Sequence, residues 1–275
     1  MENQYTKKIK IQLHNDHFQN FKKYGIPKAQ LVIADIPYNL GVNAYASSNQ
    51  WYEGGDNQNG ESKLAGKSFF KTDHNFNLME YMHFCSKLLK PEPKEKGKAG
   101  AMIVFCSFEQ MHVVAEYGKK YGFCNSYPIF FIKNSSSQVL KANMKIVGAT
   151  EHAVVLYRDK LPKFNNGCQR DDEGKPIRGT GKMVFNWFDW KKDGKDVPRL
   201  HPTQKPINVL KRLIEIFTDE HDVVIDPVAG SGSTLRACKE INRNCYGFEI
   251  EKKFYKEAIE IMLAPPKEDQ LTIFY

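Results

Sequence analysis

The stretch Val223-Val224-Ile225-Asp226-Pro227-Val228-Ala229-Gly230-Ser231-Gly232-Ser233-Thr234 decides the fold of this 275-residue chain. Three branched apolar residues predict a buried strand ending at Asp226, a loop of small residues follows, and a helix is predicted from Ser233 to Asn242. The glycines let a ligand approach the loop backbone, and the new helix offers unpaired N–H groups to a polar group. A carboxylate at Asp226 argues against a phosphate there. The stretch therefore predicts a cofactor-binding crevice at the carboxyl edge of a parallel sheet.

Two common glycine-rich motifs do not fit this loop. A dinucleotide fingerprint requires glycine where Leu235 stands, and a P-loop requires Gly-Lys-Ser/Thr, which is absent. The segment Cys245–Glu249 predicts a second strand ending in an acid, whose carboxylate can accept hydrogen bonds from both hydroxyls of a ribose. A nucleoside cofactor without phosphates would suit both Asp226 and Glu249. The alternative is an ordinary strand-turn-helix without a ligand.

Bulk composition indicates an α/β domain with a smaller appendage and an affinity for polyanions. The formal net charge is +8 and the sequence pI is near 9.0, which favours contact with polyanions. The six cysteines form no CxxC pair and are predicted to be buried and reduced. Without an apolar signal segment or a run long enough to span a bilayer, the sequence predicts a cytoplasmic protein that does not enter membranes.

A second acidic motif follows the strand predicted at Gln30–Ala34. This strand delivers Asp35-Ile36-Pro37-Tyr38 to the same sheet edge as the crevice. Pro37 restricts the loop backbone. Asp35 and the Ile36 carbonyl can accept the two protons of an amino group on a planar base, while Tyr38 stacks on its face. The alternative is a strand-ending turn with a core tyrosine.

Asp16 follows another predicted strand, Lys8–Leu13, and admits two interpretations. Together with Asn15 it can cap the amphipathic helix that runs through Phe18, Phe21 and Tyr24. It can equally accept a hydrogen bond from the exocyclic amine of a bound adenine. The sequence alone does not decide between them.

Three motifs carry a resemblance to one enzyme family. Asp35-Ile36-Pro37-Tyr38 resembles the Asp-Pro-Pro-Tyr motif of S-adenosylmethionine-dependent DNA amino-methyltransferases, and Asp226–Gly232 resembles their cofactor loop. His201-Pro202-Thr203-Gln204-Lys205-Pro206 matches a third family motif. The motif order resembles the circularly permuted beta group. Two departures are Ile36 in place of proline, which leaves the rigidity of the loop open, and Val228 in place of phenylalanine over the cofactor.

The resemblance implies an α/β fold: three Rossmann-like layers around a mostly parallel, circularly permuted seven-stranded sheet. It implies that Asp35, Ile36, Pro37 and Tyr38 are catalytic. Thr203 and Lys205 would help to hold the methionine end of S-adenosyl-L-methionine, since this end carries a carboxylate. The cofactor-binding residues so predicted are Asp16, Thr203, Lys205, Asp226, Val228, Ala229, Gly230, Ser231, Gly232 and Glu249.

The same resemblance divides the chain into three parts. Residues 1–159 form the catalytic part of the methyltransferase domain, residues 160–199 a target-recognition insertion, and residues 200–275 the cofactor-binding part. The insertion combines ten basic residues with the aromatic side chains of Phe185, Trp187, Phe188 and Trp190, which suit phosphate contact and base extrusion. The alternative is a solvated segment with its own aromatic core. The polar loop 42–77 closes over DNA or has no function. Lys133-Asn134 and Glu151-His152 recur at family positions, or mark a structural ion pair.

The predicted reaction is methylation of a flipped-out adenine at N6 by direct displacement. No cysteine follows a proline, which disfavours methylation at cytosine C5 through a covalent intermediate, and scattered histidines give no metal site. Alternatives are cytosine N4 methylation, an inactive cofactor-dependent DNA-binding subunit, and methylation of RNA or protein. The sequence is compatible with duplex or single-stranded DNA as the substrate, with a homodimer, and with a separate restriction endonuclease as a partner.

Overall fold

The predicted Asp226 strand lies inside an eight-stranded mixed sheet. The computed structural model describes residues 8–38, 76–134, 139–141, 146–173, 175–201 and 203–265. The strands are β1 Ile11–His14, β2 Leu31–Asp35, β3 Ala101–Cys106, β4 Asn125–Lys133, β5 Val139–Lys141, β6 Ile146–Val147, β7 Thr150–Tyr157, β8 Trp187–Trp190, β9 Val223–Asp226 and β10 Asn244–Phe248. Their order in the large sheet is β1-β10-β9-β2-β3-β7-β4-β8, and β5 pairs with β6 separately.

Most strands of the large sheet run in one direction. The first five in its order, from β1 to β3, are parallel to their neighbours, and β4 is parallel to β8. Strand β7 is antiparallel to both β3 and β4. The helices are α1 Leu78–Leu88, α2 Phe108–Lys120, α3 Ile207–Phe217, α4 Ser233–Glu240 and α5 Lys252–Glu257, with a 3-10 helix at Phe18–Tyr24 and a π-helical turn at Ala258–Met262.

Helices cover both faces of the sheet, because its central strands are apolar on both faces. All six residues of β3 are buried, as in strands covered on both sides. Along β2, Leu31 and Ile33 pack in one hydrophobic cluster with α3 and α4, whereas Val32 and Ala34 pack in a second cluster with α1 and α2. Successive side chains of a strand point to opposite faces. The three-layer α/β architecture is therefore confirmed.

The sheet has one strand more than predicted, and the eighth comes from the segment 160–199. Strand β8 pairs in parallel with β4. Phe188 stacks on Phe131 with ring centroids 5.9 Å apart, and Trp190 meets Phe131 edge-on at 5.9 Å. Burying these rings favours docking on the sheet over a separate aromatic core. The segment is thus partly built into the main sheet.

Other local predictions differ from the structure. His17, and not Asn15 or Asp16, caps the 3-10 helix with its imidazole nitrogen. Helix α4 ends at Glu240, before the left-handed Asn242 (φ 59°). Four cysteines are buried as expected, but Cys124 is exposed and Cys168 half-buried, because both lie in surface loops.

Two further predictions concern the loop at residues 42–77 and the lack of a membrane-spanning segment. The part of the predicted loop at residues 42–75 lies outside the described residues. Within the described ranges, no helix has the length and apolar character needed to cross a membrane.

Candidate functional site

The three acids predicted from strand ends meet at one edge of the sheet. Asp35 ends β2, Asp226 ends the neighbouring β9, and Glu249 follows β10 on its other side. A cavity of about 320 Å³ opens at this edge, a size within reach of a small ligand. The predicted site residues that line it are Asp35, Ile36, Pro37, Tyr38, Thr203, Lys205, Asp226, Val228, Ala229, Gly230, Ser231 and Glu249.

The structure does not bring Asp16 to this cavity. Its carboxylate accepts hydrogen bonds from the Tyr24 hydroxyl, the Asn20 amide and the His17 N–H, each at 2.7 Å, and these bonds hold the pKa of Asp16 well below its usual range. The adjacent His17 and Phe18 line the cavity instead. Asp16 thus organises its own turn, because local hydrogen bonds satisfy a short acidic side chain there.

Gly232 also lies outside the cavity lining, yet it shapes the loop. It precedes α4 with φ 77°, a left-handed conformation that favours glycine. A Cβ atom at this position would stand 3.2 Å from the Cβ of Ala258. Gly232 therefore turns the loop into α4 beneath the π-helical turn and does not itself face the cavity.

The acids Asp226 and Glu249 hold the glycine-rich loop in place. Asp226 Oδ1 accepts the Val228 N–H at 3.1 Å, and Glu249 Oε2 accepts the Gly230 N–H at 2.8 Å. Glu249 Oε1 accepts the Glu251 N–H at 2.7 Å. Burial raises the pKa of Asp226 to about 7, against the hydrogen bonds that it accepts, and burial likewise raises the pKa of Glu249.

Two hydrogen bonds of its main chain fix the loop at residues 35–38. They supply the rigidity that a proline in place of Ile36 would give. The N–H of Ile36, which a proline would lack, donates to the Phe105 carbonyl at 3.2 Å and extends the ladder between β2 and β3. The amide of Gln110 donates to the Pro37 carbonyl at 2.9 Å. Gln110 is itself fixed in a capping box with Ser107 at the start of α2. The sequence analysis missed Gln110, although Ser107-x-x-Gln110 is a recognisable capping pattern.

Asp35 uses one carboxylate oxygen in an ion pair, and the other oxygen has no hydrogen-bond partner among the described residues. Its Oδ2 accepts a hydrogen bond from Lys205 Nζ at 2.6 Å. Its Oδ1 is buried and has no hydrogen-bond partner among the described residues. A buried acceptor without a donor costs about 1–3 kcal/mol. Oδ1 is therefore suited to receive an N–H or O–H group of a ligand in the cavity.

Tyr38 is oriented by an acid from the antiparallel strand. Its hydroxyl donates to Glu151 Oε2 at 3.0 Å, and Lys133 Nζ donates to Glu151 Oε1 at 2.5 Å. Burial, together with the nearby carboxylates Asp35 and Glu151, raises the pKa of Tyr38 well above its usual range, so it remains a neutral phenol. The Lys133 and Glu151 pair suggested by the sequence is thus formed, and it supports the ring of Tyr38.

Lys205 lies at the centre of this arrangement. Its side chain is only 6% exposed. The ammonium lies 5.4 Å from the ring centroids of Tyr38 and Phe105 and 5.9 Å from that of Trp190. Such ring faces stabilise a desolvated cation. Through Trp190, the segment 160–199 reaches the residues around Asp35.

Comparisons with known proteins agree with this geometry. Residues 29–260 match a family model described as DNA methylase, that of the N6/N4 methyltransferases. The type II methyltransferase M.BglII of Bacillus subtilis is 39% identical in an alignment of 148 positions that covers 47% of this chain and 41% of that protein. M2.DpnII of Streptococcus pneumoniae is 26% identical over 262 residues, 92% of this chain and 90% of its own. The chain thus spans less than half of M.BglII but nearly all of M2.DpnII.

Solved structures share the fold. The complex of M1.HpyAVI with SAM superposes with a TM-score of 0.57 at 23% identity, covering 90% of this chain and 98% of the other. The cytosine-N4-specific PvuII DNA methyltransferase gives a TM-score of 0.58 at 15% identity, covering 90% and 84% of the two chains. At these identities the likeness establishes the fold and not the base that is modified.

Proposed function

This chain belongs to the N6/N4 family of S-adenosylmethionine-dependent DNA methylases, and from that premise we propose that it methylates the exocyclic N6 of adenine in DNA. The observation that carries the proposal is the open acceptor Asp35 Oδ1. It lies in the same cavity as Tyr38 and the two acids of the cofactor loop. An amino group of a base placed there would meet a carboxylate, a carbonyl and an aromatic ring.

The residues of the cavity fit S-adenosylmethionine. Glu249 keeps acceptor capacity beyond its two main-chain hydrogen bonds, as a ribose diol requires. The backbone of residues 228–231 lies open to the cavity, and glycine and serine allow a close approach there. Thr203 and Lys205 offer a hydroxyl and an ammonium for the carboxylate of the methionine end. When bound, the cofactor supplies a methyl group that a nucleophile takes by direct displacement.

The residues around Asp35 prepare the target amine. The lone pair of an exocyclic amine is delocalised into its ring, which makes the nitrogen a poor nucleophile. Accepting its hydrogens at Asp35 Oδ1 and at the Ile36 carbonyl favours a tetrahedral nitrogen with its lone pair directed at the methyl group. Asp35 can then take the proton that the methylated nitrogen releases. Tyr38 would stack on the base.

Cytosine N4 is the second candidate target, because the family includes enzymes of both kinds and the PvuII enzyme shares the fold. Adenine is favoured because an aspartate in the first position of the tetrapeptide resembles adenine-specific members. An inactive DNA-binding subunit is disfavoured by the retention of Asp35, Pro37 and Tyr38. RNA or protein acceptors are disfavoured by the motif order.

DNA is proposed to approach the carboxyl edge of the sheet and to present a flipped-out base. Unstacking a base costs a few kcal/mol, which the contacts of Tyr38 and of the basic segment 160–199 with DNA would offset. Trp190 connects that segment to the site. The proposal also includes a homodimer, a separate restriction endonuclease partner in a type II system, and a cytoplasmic location. Single-stranded DNA is an alternative substrate.

The deciding experiment is transfer of tritium from labelled S-adenosylmethionine into duplex and single-stranded DNA, followed by nucleoside analysis. We expect N6-methyladenine. N4-methylcytosine would overturn the choice of base while keeping the family chemistry. If the cofactor binds but no DNA becomes labelled, the protein is a binding subunit or acts on another acceptor.

Cofactor binding is expected to strengthen as pH rises through 7. With its pKa raised to about 7, Asp226 is largely protonated at pH 6 and ionised at pH 8, and a cationic cofactor favours the ionised form. If the bound state requires the carboxylate, linkage gives about a tenfold fall in Kd between these pH values. Calorimetric titration from pH 6 to 8 measures it.

Asp226→Asn is the matched control for this pH effect, because the amino group of the cofactor itself titrates near pH 8. The effect assigned to Asp226 is the difference between the two proteins. An unchanged pH dependence in the Asn variant would contradict the assignment.

Glu151→Gln is expected to slow methyl transfer about tenfold while leaving the KM for the cofactor unchanged. The substitution removes the charge that binds Lys133 and weakens the acceptor of the Tyr38 hydroxyl. The Tyr38 ring therefore loses its fixed orientation. Misplacing a group that positions the substrate lowers a reaction rate by about one to two orders of magnitude. Steady-state kinetics with both substrates tests this. The control is Glu116→Gln, which breaks an exposed pair with Lys119. Equal rates for both variants would refute the role of Glu151.

A further inference from the structure

We propose that Lys205 is a positioning residue of the methyl transfer, one that keeps Asp35 ionised and directs its free oxygen to the target amine. This inference rests on the proposed function and deepens it. Sequence analysis assigns Lys205 to the cofactor. The structure places its ammonium 2.6 Å from Asp35 Oδ2, on the residue proposed to receive the base.

The two oxygens of Asp35 are divided between two tasks. Oδ2 is bound to Lys205, so rotation of the carboxylate is restricted, and Oδ1 remains buried without a partner. An ionised carboxylate is an acceptor at both oxygens and has no donor, so it can bind Lys205 at Oδ2 and the amine at Oδ1. A protonated Asp35 would carry a hydroxyl on one oxygen and could not take the proton that the methylated amine releases. The lysine therefore sets both the charge and the orientation that the proposed chemistry needs.

The surroundings of Asp35 make a cation necessary. Among the described residues, the other titratable groups that interact with Asp35 are Glu151 of β7, Asp226 of β9, Tyr38 of its own loop and Cys106 of β3. Burial and the charge of Glu151 raise the pKa of Asp35, and Lys205 and the Tyr38 hydroxyl oppose this shift. Lys205 is the cation that contacts the carboxylate among the described residues. Its removal would raise the pKa of the carboxyl group further, towards the protonated form.

Lys205 is buried beside Asp35, which shields their ion pair from water. The side chain is 6% exposed, and three aromatic rings enclose its ammonium. An ammonium has three N–H donors, of which Asp35 takes one. A cofactor carboxylate could engage another without releasing Asp35, so the two roles of Lys205 are compatible.

The test compares Lys205→Met and Lys205→Arg in single-turnover methyl transfer at saturating cofactor across pH 5 to 10. Saturation removes the contribution of Asp226 to cofactor binding. The transfer rate should rise with pH as Asp35 ionises. In Lys205→Met this rise should move to higher pH. The transfer rate at pH 7 should fall roughly 100-fold, and the loss should shrink at high pH, since each unit by which the pKa of Asp35 rises above the pH lowers its ionised fraction tenfold. The Arg variant should retain most of the activity, because it keeps the charge.

A second readout does not depend on activity. The ¹³C carboxyl resonance of Asp35, identified by its absence in Asp35→Asn, should titrate at higher pH in Lys205→Met than in the wild-type protein. Lys211→Met is the matched control, since Lys211 lies on α3 and pairs with Glu240 outside the cavity; it should leave both readouts unchanged. If the pH profile and the resonance of Lys205→Met match the wild type and only cofactor affinity falls, the proposal is wrong.

The two proposals can fail separately. If the wild-type protein transfers no methyl group to any DNA, the proposed function fails, yet the carboxyl titration still tests the effect of Lys205 on Asp35. If transfer occurs and the titration does not shift, only the role of Lys205 is lost. A merely structural lysine would lower thermal stability without moving either pH-dependent readout.

Discussion

Asp35→Ala is expected to reduce methyl transfer about 1,000-fold or more, the range over which loss of a positioned proton acceptor reduces rates. The variant removes the open acceptor Oδ1 and the partner of Lys205. Cofactor affinity should change less than threefold, because Asp226 and Glu249 keep their main-chain contacts with the cofactor loop. Single-turnover transfer and calorimetric titration of the cofactor measure the two quantities.

The control for Asp35→Ala tests the effect of the unpaired charge on Lys205 that this variant leaves behind. Breaking a buried ion pair by removing one partner costs about 3–5 kcal/mol, so Asp35→Ala should also unfold at a lower temperature. The double variant Asp35→Ala/Lys205→Met should recover part of that stability and none of the activity. If the double variant regains transfer, or if the single variant keeps it, Asp35 does not have the proposed role.

Glu249→Ala is expected to weaken cofactor binding about 100-fold. A carboxylate that accepts two ribose hydroxyls contributes roughly 1.5 kcal/mol per hydrogen bond, and the sum of about 3 kcal/mol corresponds to two orders of magnitude in Kd. The variant also removes the acceptor of the Gly230 N–H, which loosens the loop. Equilibrium binding of the cofactor measures the effect, and transfer at saturating cofactor should recover most of the wild-type rate.

Two further variants separate charge from packing at this position. Glu249→Gln keeps the shape but loses one acceptor oxygen, so its Kd should lie between those of the wild type and of Glu249→Ala. Glu260→Ala removes an exposed acid on the π-helical turn away from the cavity and should bind the cofactor normally. A normal Kd in Glu249→Ala would rule out the ribose contact.

Strand and helix positions were largely predictable because their signals are local. The strand predicted to end at Asp226 is β9, Val223–Asp226, and the strand predicted at Gln30–Ala34 is β2, Leu31–Asp35. Hydrophobic periodicity and flanking turn residues act over a few residues. The strand-end rule also located Asp35 and Asp226, because parallel strands present their carboxyl ends at one edge.

The sequence leaves the contacts of a side chain open where more than one partner lies within its reach. Asp16 was a candidate for the cavity, but Tyr24 and Asn20 lie within hydrogen-bonding reach in its own turn. The eighth strand was missed because β8 is short and its pairing with β4 depends on the packing of Phe188 against Phe131. The pairing of β8 with β4 is not set by a local pattern.

The sequence by itself determined most of the elements, their order, and which acids stand at the strand ends that meet in the cavity, since these follow from short-range patterning and strand direction. Only the tertiary structure decided how the side chains pair. Lys205 and Asp35 are 170 positions apart in the chain and 2.6 Å apart in the fold. Tyr38 likewise reaches Glu151 across 113 positions. Such contacts depend on strand order in the sheet and on the burial that makes an unpaired charge costly.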